Sequence, residues 1–212
     1  MLHGPRRLIT PQPILLSILT ASIPERADKL EMLTEKITAQ IGDLPVEHLV
    51  FLDNRKRTIG AKRDALLRIA RGTFVAYVDD DDTVSPDYVA SLVDAIKIAI
   101  TPTFSQTDHR VDVITFAQFA RVDEASAKIV FGLRQENQPF VPDTEVLRAA
   151  WHICAWRRSV AILSHFPESN YGEDWAFAEP LNRIARASIH LDKFLHFYRY
   201  NSATTAAPYP DL

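Results

Sequence analysis

The first hundred residues alternate between two hydrophobic periods, and that alternation constrains the fold more than any other feature. Ile14–Thr20 is a short apolar run of the kind buried on both faces of a sheet. Leu30, Leu33, Ile37 and Ile41 then recur at steps of three and four, which predicts an amphipathic helix. Val46–Asp53 is a second strand-like run, followed by a helix whose inner face carries Ala65, Leu66, Ile69 and Ala70. Gly72 stops that helix, and Thr73–Val78 is a third run with no polar residue after its first. Ser85-Pro86-Asp87 opens a further helix in the pattern of a hydroxyl N-cap, a proline at the first helical position and an acid in the first turn. Strand, helix, strand, helix, strand, helix predicts an α/β fold with a mostly parallel, Rossmann-like sheet and right-handed crossovers.

The remainder is less regular. Val113–Phe119 and Lys128–Leu133 read as strands, joined as a hairpin across Asp123–Glu124. A helix is expected at Thr144–Ala150, an aromatic-rich segment over Trp151–Phe166, a helix after Gly172 and a last strand over Ile189–Tyr200. Pro180 must kink or restart the helix in which it falls. With no linker between the halves, one mixed domain is expected. Residues 1–12 are an irregular lead-in, about 14–101 a nucleotide-binding half, about 102–202 a half that shapes the neighbouring pocket, and 203–212 a loose tail.

Composition removes several function classes. The 212 residues hold 24 Lys+Arg against 27 Asp+Glu, a formal charge of -3, so no basic surplus supports non-specific nucleic-acid binding. A single cysteine, Cys154, excludes an internal disulfide and a zinc site built from several thiolates. None of the six glycines falls in phosphate-loop or dinucleotide spacing. The N-terminal apolar run is too short to span a bilayer, and a soluble, cytoplasmic protein is expected.

The run Asp79-Asp80-Asp81-Asp82 follows the third strand, at the sheet edge where open parallel sheets bind ligands. Successive carboxylates raise one another's pKa until a cation neutralises them, and oxygen ligands favour Mg2+ or Mn2+. Alternation along an extended segment would face Asp79 and Asp81 to one side as a metal-binding pair, with Asp82 adding a contact. The competing reading is a solvated acidic turn, and its position against an apolar strand favours the metal. Asp53, ending the second strand, reads equally as a ligand for a base or ribose or as a turn initiator. Lys62 and Arg63, near a helix N-terminus, are candidates for binding a diphosphate or a base carbonyl, whereas Arg55–Arg57 read as a solvated loop. Glu173 and Asp174 beside Trp175 read either as helix-capping acids or as a half-buried carboxylate fit to deprotonate an acceptor hydroxyl. His196 reads as a metal ligand or, by preference, as a histidine packed among Phe and Tyr. Trp151, His152 and Trp156 read as acceptor-pocket lining or, more commonly at such spacing, as core.

Taken together, four stretches resemble glycosyltransferase family 2, inverting enzymes of the GT-A fold: LSILTASIPER (Leu16–Arg26), HLVFLDN (His48–Asn54), IGAKRDALLRIARGTFVAYVDDDD (Ile59–Asp82) and YGEDWAF (Tyr171–Phe177). The resemblance implies that Asp79 and Asp81 form an Asp-x-Asp motif, that Thr20, Asp53 and Arg63 surround the base and ribose of a nucleotide-diphosphate sugar with Lys62 and Asp80 beside them, and that Asp174 is the general base. The Gln-x-x-Arg-Trp motif of polymerising members is missing after Asp174, which implies transfer of a single sugar, with a UDP-linked donor expected. The acceptor would be a hydroxyl of a glycan, lipid-linked compound, small molecule or modified nucleobase, lying near Glu173, Trp175 and His152. Two other functions stay open at this level: a nucleotidyltransferase, and a binding module without catalysis.

Overall fold

The computed structural model describes residues 12–101 and 110–201; the expected lead-in through residue 11 and the tail 203–212 lie outside the described residues. Strands β1 (Leu16–Ser22), β2 (Val46–Leu52) and β3 (Phe74–Tyr77) are connected by helices α1 (Ala27–Ile41) and α2 (Ile59–Ile69). β1 lies between β2 and β3, parallel to both, with Leu16 opposite Val46 on one side and Phe74 on the other. Every residue of β1 and of β3 is buried, which is why those runs carry so little polarity. Gly72 permits this packing: a Cβ there would lie 2.5 Å from the backbone nitrogen of Ser17 in β1.

A two-residue strand β4 (Thr83–Val84) leads to α3 (Tyr88–Ile100). The long strand β5 (Val111–Val122) turns at Asp123 and Glu124 into β6 (Ala125–Gly132), forming the expected antiparallel hairpin. β7 (Glu145–Ala149), β8 (Ala155–Arg157), the short α4 (Arg158–Ala161), α5 (Glu173–Ile184) and β9 (Ala187–Tyr200) complete the described chain. The sheet runs β2-β1-β3-β8-β5-β6-β7, with β9 along β5 and β4 on β9. β8 enters antiparallel between β3 and β5, joining the parallel half to the mixed half. One continuous core links the two, with Trp156, Tyr77, Tyr88, Phe74 and Phe116 fully buried.

Four expectations are corrected. The helix expected at Thr144–Ala150 is instead the strand β7, paired in parallel with β6 from Lys128↔Glu145 to Gly132↔Ala149. The partner ladder decided that segment, because seven residues with one apolar face suit either element. Ile69 is not on the inner face of α2: it is 61% exposed, and Leu67 takes the buried place beside Leu66. Ser85 does not cap α3 through its hydroxyl, which donates to Asp87 Oδ1 at 2.7 Å; the amide of Val89 is held by the Gln40 side chain of α1. The acidic run is a turn, closed by the Asp82 amide on the Asp79 carbonyl at 3.1 Å, so Asp79 and Asp81 do not pair by strand alternation.

Candidate active site

The three parallel strands deliver their carboxyl ends to one rim, and cations from α2 and the turn after β1 tie that rim together. Lys62, almost fully buried, donates to the Ser22 carbonyl at 2.9 Å and sits 3.0 Å from Asp53 Oδ1, linking the ends of β1 and β2. Burial opposes the charge on Asp53, but Lys62 outweighs it and lowers that carboxyl below its ordinary value. Thr20 lies wholly inside: its hydroxyl donates to the Val78 carbonyl at 2.8 Å and lies 3.0 Å from His48 Nε2. Desolvation lowers His48 to about 4, so its ring is neutral near pH 7.

The four aspartates diverge. Asp79 Oδ1 accepts from Arg63 at 2.5 Å, and although burial penalises its charge, Arg63 and His152 hold its carboxyl far below the usual range. Asp80 is buried, accepting from Ser22 Oγ at 2.6 Å and from Arg26 at 2.8 Å. Asp81 shares that arginine at 3.1 Å, yet burial, with Asp79 and Asp80 adding to it, raises its pKa. Asp82 faces His196 Nε2 at 3.4 Å; burial, then Asp79 and Asp81, push its carboxyl well above the ordinary value. Arg26 went unnoticed in the sequence, where a lone arginine in a short turn carries no periodic signal, although it ends the first matched stretch.

His196 is fully buried, as a packed histidine would be, but one ring edge has a polar assignment: Nδ1 lies 3.0 Å from the Gln118 amide. Desolvation lowers it to about 4. Its Nε2, Asp82 Oδ1 and both nitrogens of buried His152 have no hydrogen-bond partner among the described residues. Those unpartnered nitrogens and carboxylate oxygens are donor types suited to a divalent cation. No three such side chains are already drawn into a metal cage among the described residues. The donor types fit such an ion in chemistry.

The expected anion site at the start of α2 is taken up within the protein. The Ile59 amide donates to Asn170 Oδ1 at 3.0 Å, the Gly60 amide to the Ser169 carbonyl at 3.0 Å and the Ala61 amide to Thr58 Oγ1 at 3.2 Å. Arg63 is buried, with one nitrogen on Asp79 and another on Glu173 Oε1 at 2.6 Å. Thr20, Lys62 and Asp80 thus have internal partners, as do both terminal nitrogens of Arg63, while Arg63 Nε has none among the described residues.

Across the rim, α5 starts from Gly172, whose φ of 69° suits glycine. Glu173 is buried on Arg63, and burial raises its carboxyl even against that cation. Asp174 is half-buried and accepts from the Trp151 indole at 3.3 Å. Trp151 packs at 5.6 Å against Trp175, which is 44% exposed. Trp175, Glu179 and Arg183 line one wall of an open cleft of about 390 Å³, facing Arg134, Gln135 and Asn137. Of the three expected acceptor-side residues, Trp175 alone lines this cleft; Glu173 and His152 are interior, and Trp156 is core.

The sequence profile of glycosyl transferase family 2 matches residues 31–160, more than half of the chain. The chain belongs to that family. No curated protein matches the sequence. Among solved structures, TarS from S. aureus in complex with UDP-GlcNAc is similar at a TM-score of 0.60 and 15% identity, over 91% of this chain and 62% of that one. The mannosyltransferase PcManGT from Pyrobaculum calidifontis, in complex with GDP-Man and Mn2+, is similar at a TM-score of 0.50 and 13% identity, over 89% of this chain and 59% of that one. The chain therefore spans about three fifths of the length of these structures, and the likeness is one of fold. No helix among the described residues is long and apolar enough to cross a membrane.

Proposed function

We propose that the protein is an inverting glycosyltransferase that moves a single sugar from a nucleotide-diphosphate sugar to a hydroxyl acceptor, with Mn2+ or Mg2+. The observation that carries this reading is Asp174. It is half-buried, oriented by an indole N–H, next in sequence to Trp175, which lines an open cleft, and set on the element that Arg63 joins to the acidic turn.

Asp79 and Asp81 are the residues proposed to hold the metal, with Asp82 and the orphaned Nε2 of His196 behind them. When bound, the ion supplies Lewis-acid neutralisation of the departing diphosphate. The chain's own work is positional. Arg26 and Arg63 pin Asp80 and Asp79, keeping the rim in one arrangement before the donor arrives. Asp53, at the end of β2, is the residue proposed to meet the base or ribose. Asp174 takes the proton of the acceptor hydroxyl as it attacks the anomeric carbon from the face opposite the leaving diphosphate, which inverts that centre. Trp175 offers an aromatic face to a sugar acceptor in the cleft. The similar structures hold UDP-GlcNAc and GDP-Man, so both nucleotides belong in the assay beside the expected UDP-linked donor.

Asp174→Asn should retain nucleotide affinity and melting temperature while transfer falls by about 10²–10⁴-fold. An unchanged catalytic rate would remove Asp174 as the base. Release of nucleoside diphosphate supports this reading, whereas release of pyrophosphate would point to a nucleotidyltransferase.

A further inference from the structure

We infer that Arg63 is a positioning residue that couples the acidic turn to the helix bearing Asp174, so that occupancy of the rim sets how firmly the start of α5 is held. The inference rests on the glycosyltransferase reading above and goes beyond it, because it assigns Arg63 no contact with nucleotide.

The geometry is that of a shared cation. Arg63 is 3% exposed, with Nη2 2.5 Å from Asp79 Oδ1 and Nη1 2.6 Å from Glu173 Oε1. Its guanidinium lies 5.9 Å from the Phe166 ring centre. Its own carbonyl accepts the Tyr77 hydroxyl at 3.0 Å, which fixes the base of the side chain against β3. A planar fork anchored at its root cannot move toward one carboxylate without loosening on the other. His152 completes the surroundings, acting electrostatically on both Asp79 and Glu173, and Asp174 adds its charge to the field at Arg63. The joint is stiffened from the other side by the segment entering α5, which already holds the start of α2 through Ser169 and Asn170.

The direction of coupling follows from charge. A cation drawn to the remaining oxygen of Asp79 withdraws negative charge from the Asp79–Arg63 pair, and the guanidinium then bears more strongly on Glu173. The start of α5, with Asp174, is held more firmly when the rim is occupied. Linkage requires the reverse as well: removing the charge of Glu173 leaves Arg63 wholly on Asp79 and weakens the rim's hold on a cation by the same factor. Glu173 is buried on Arg63, and that guanidinium is its direct contact with the rim.

The test uses the full chain with manganese and UDP, and with manganese and GDP, followed by titration calorimetry and by hydrogen exchange of the peptide covering 172–180. In the wild type, the nucleotide that binds should slow exchange at the start of α5. Glu173→Gln should weaken its binding on the order of tenfold and abolish that protection. Arg63→Lys, which keeps the charge but not the fork, should lose the protection as well. Should Glu173→Gln bind as tightly as wild type, with α5 protected equally, the coupling is wrong while the glycosyltransferase reading stands. A wild type that binds neither nucleotide overturns both. Glu173→Gln keeps the test decisive if Arg63→Lys fails to fold.

Discussion

The two sides of the site solve opposite problems. On the donor side, where β1, β2 and β3 end, anions are brought close together and internal cations hold most of them: Lys62 on Asp53, Arg63 on Asp79, Arg26 on Asp80 and Asp81. On the side proposed for the acceptor, an exposed tryptophan lines an open cleft beside a half-buried aspartate. The contrast teaches that a rim proposed to receive a charged diphosphate is built in advance, since buried carboxylates without partners are costly. A surface proposed to hold its ligand by stacking and hydrogen bonds can stay open. Asp82 and His196 stand between these regimes, buried but incompletely partnered.

The comparison can be broken most forcefully at the joint between its sides. A Cβ on Gly60 would lie 1.9 Å from the Pro167 carbonyl oxygen, so Gly60→Ala must push the start of α2 away from the segment leading to α5. A loss of about 2–4 kcal/mol of stability is expected by chemical denaturation, together with reduced transfer. A stability change within about 0.5 kcal/mol would show that the two elements move independently.

The donor side should also fail first on acidification. His48 is neutral in the fold because its pKa is lowered from 6.5 to about 4. Between those values the unfolded chain binds a proton that the folded chain refuses, so stability falls as pH drops from 6.5 towards 4. His196, also lowered from 6.5 to about 4, contributes over the same window, so His48→Gln should make that limb of a pH–stability profile shallower and leave the share of His196. An unaltered profile would place the acid sensitivity elsewhere. The smallest effect sharpens the acceptor side: Trp175→Ala should raise the acceptor KM by about tenfold while leaving nucleotide affinity and melting temperature nearly unchanged, on the scale of an aromatic contact. An unchanged acceptor KM would move the acceptor out of this cleft.

How much of this could be read from the chain follows from the range of the interactions. β1 and β3 were legible because strands buried on both faces must be continuously apolar, and the position of the acidic run followed from their direction. Its orientation was not legible. A tight turn replaced strand alternation, and the partners of the aspartates come from distant places: Arg26 from the turn after β1, Arg63 from α2, His196 from β9. The same holds for the cations of α2. Lys62 and Arg63 stood out as basic residues near a helix start, but only the fold shows that the segment at Ser169 and Asn170 already caps that helix. β7 was misread because its pairing with β6, and not its own pattern, makes it a strand.

Titration calorimetry of manganese with UDP or GDP, repeated with Asp81→Asn, tests the central claim most directly. Asp81 lies 3.1 Å from Arg26 and retains surface access, so its carboxylate is open to the cation. The account predicts manganese-dependent nucleotide binding that falls at least tenfold in Asp81→Asn. Binding that is indifferent to manganese and to Asp81 would contradict it.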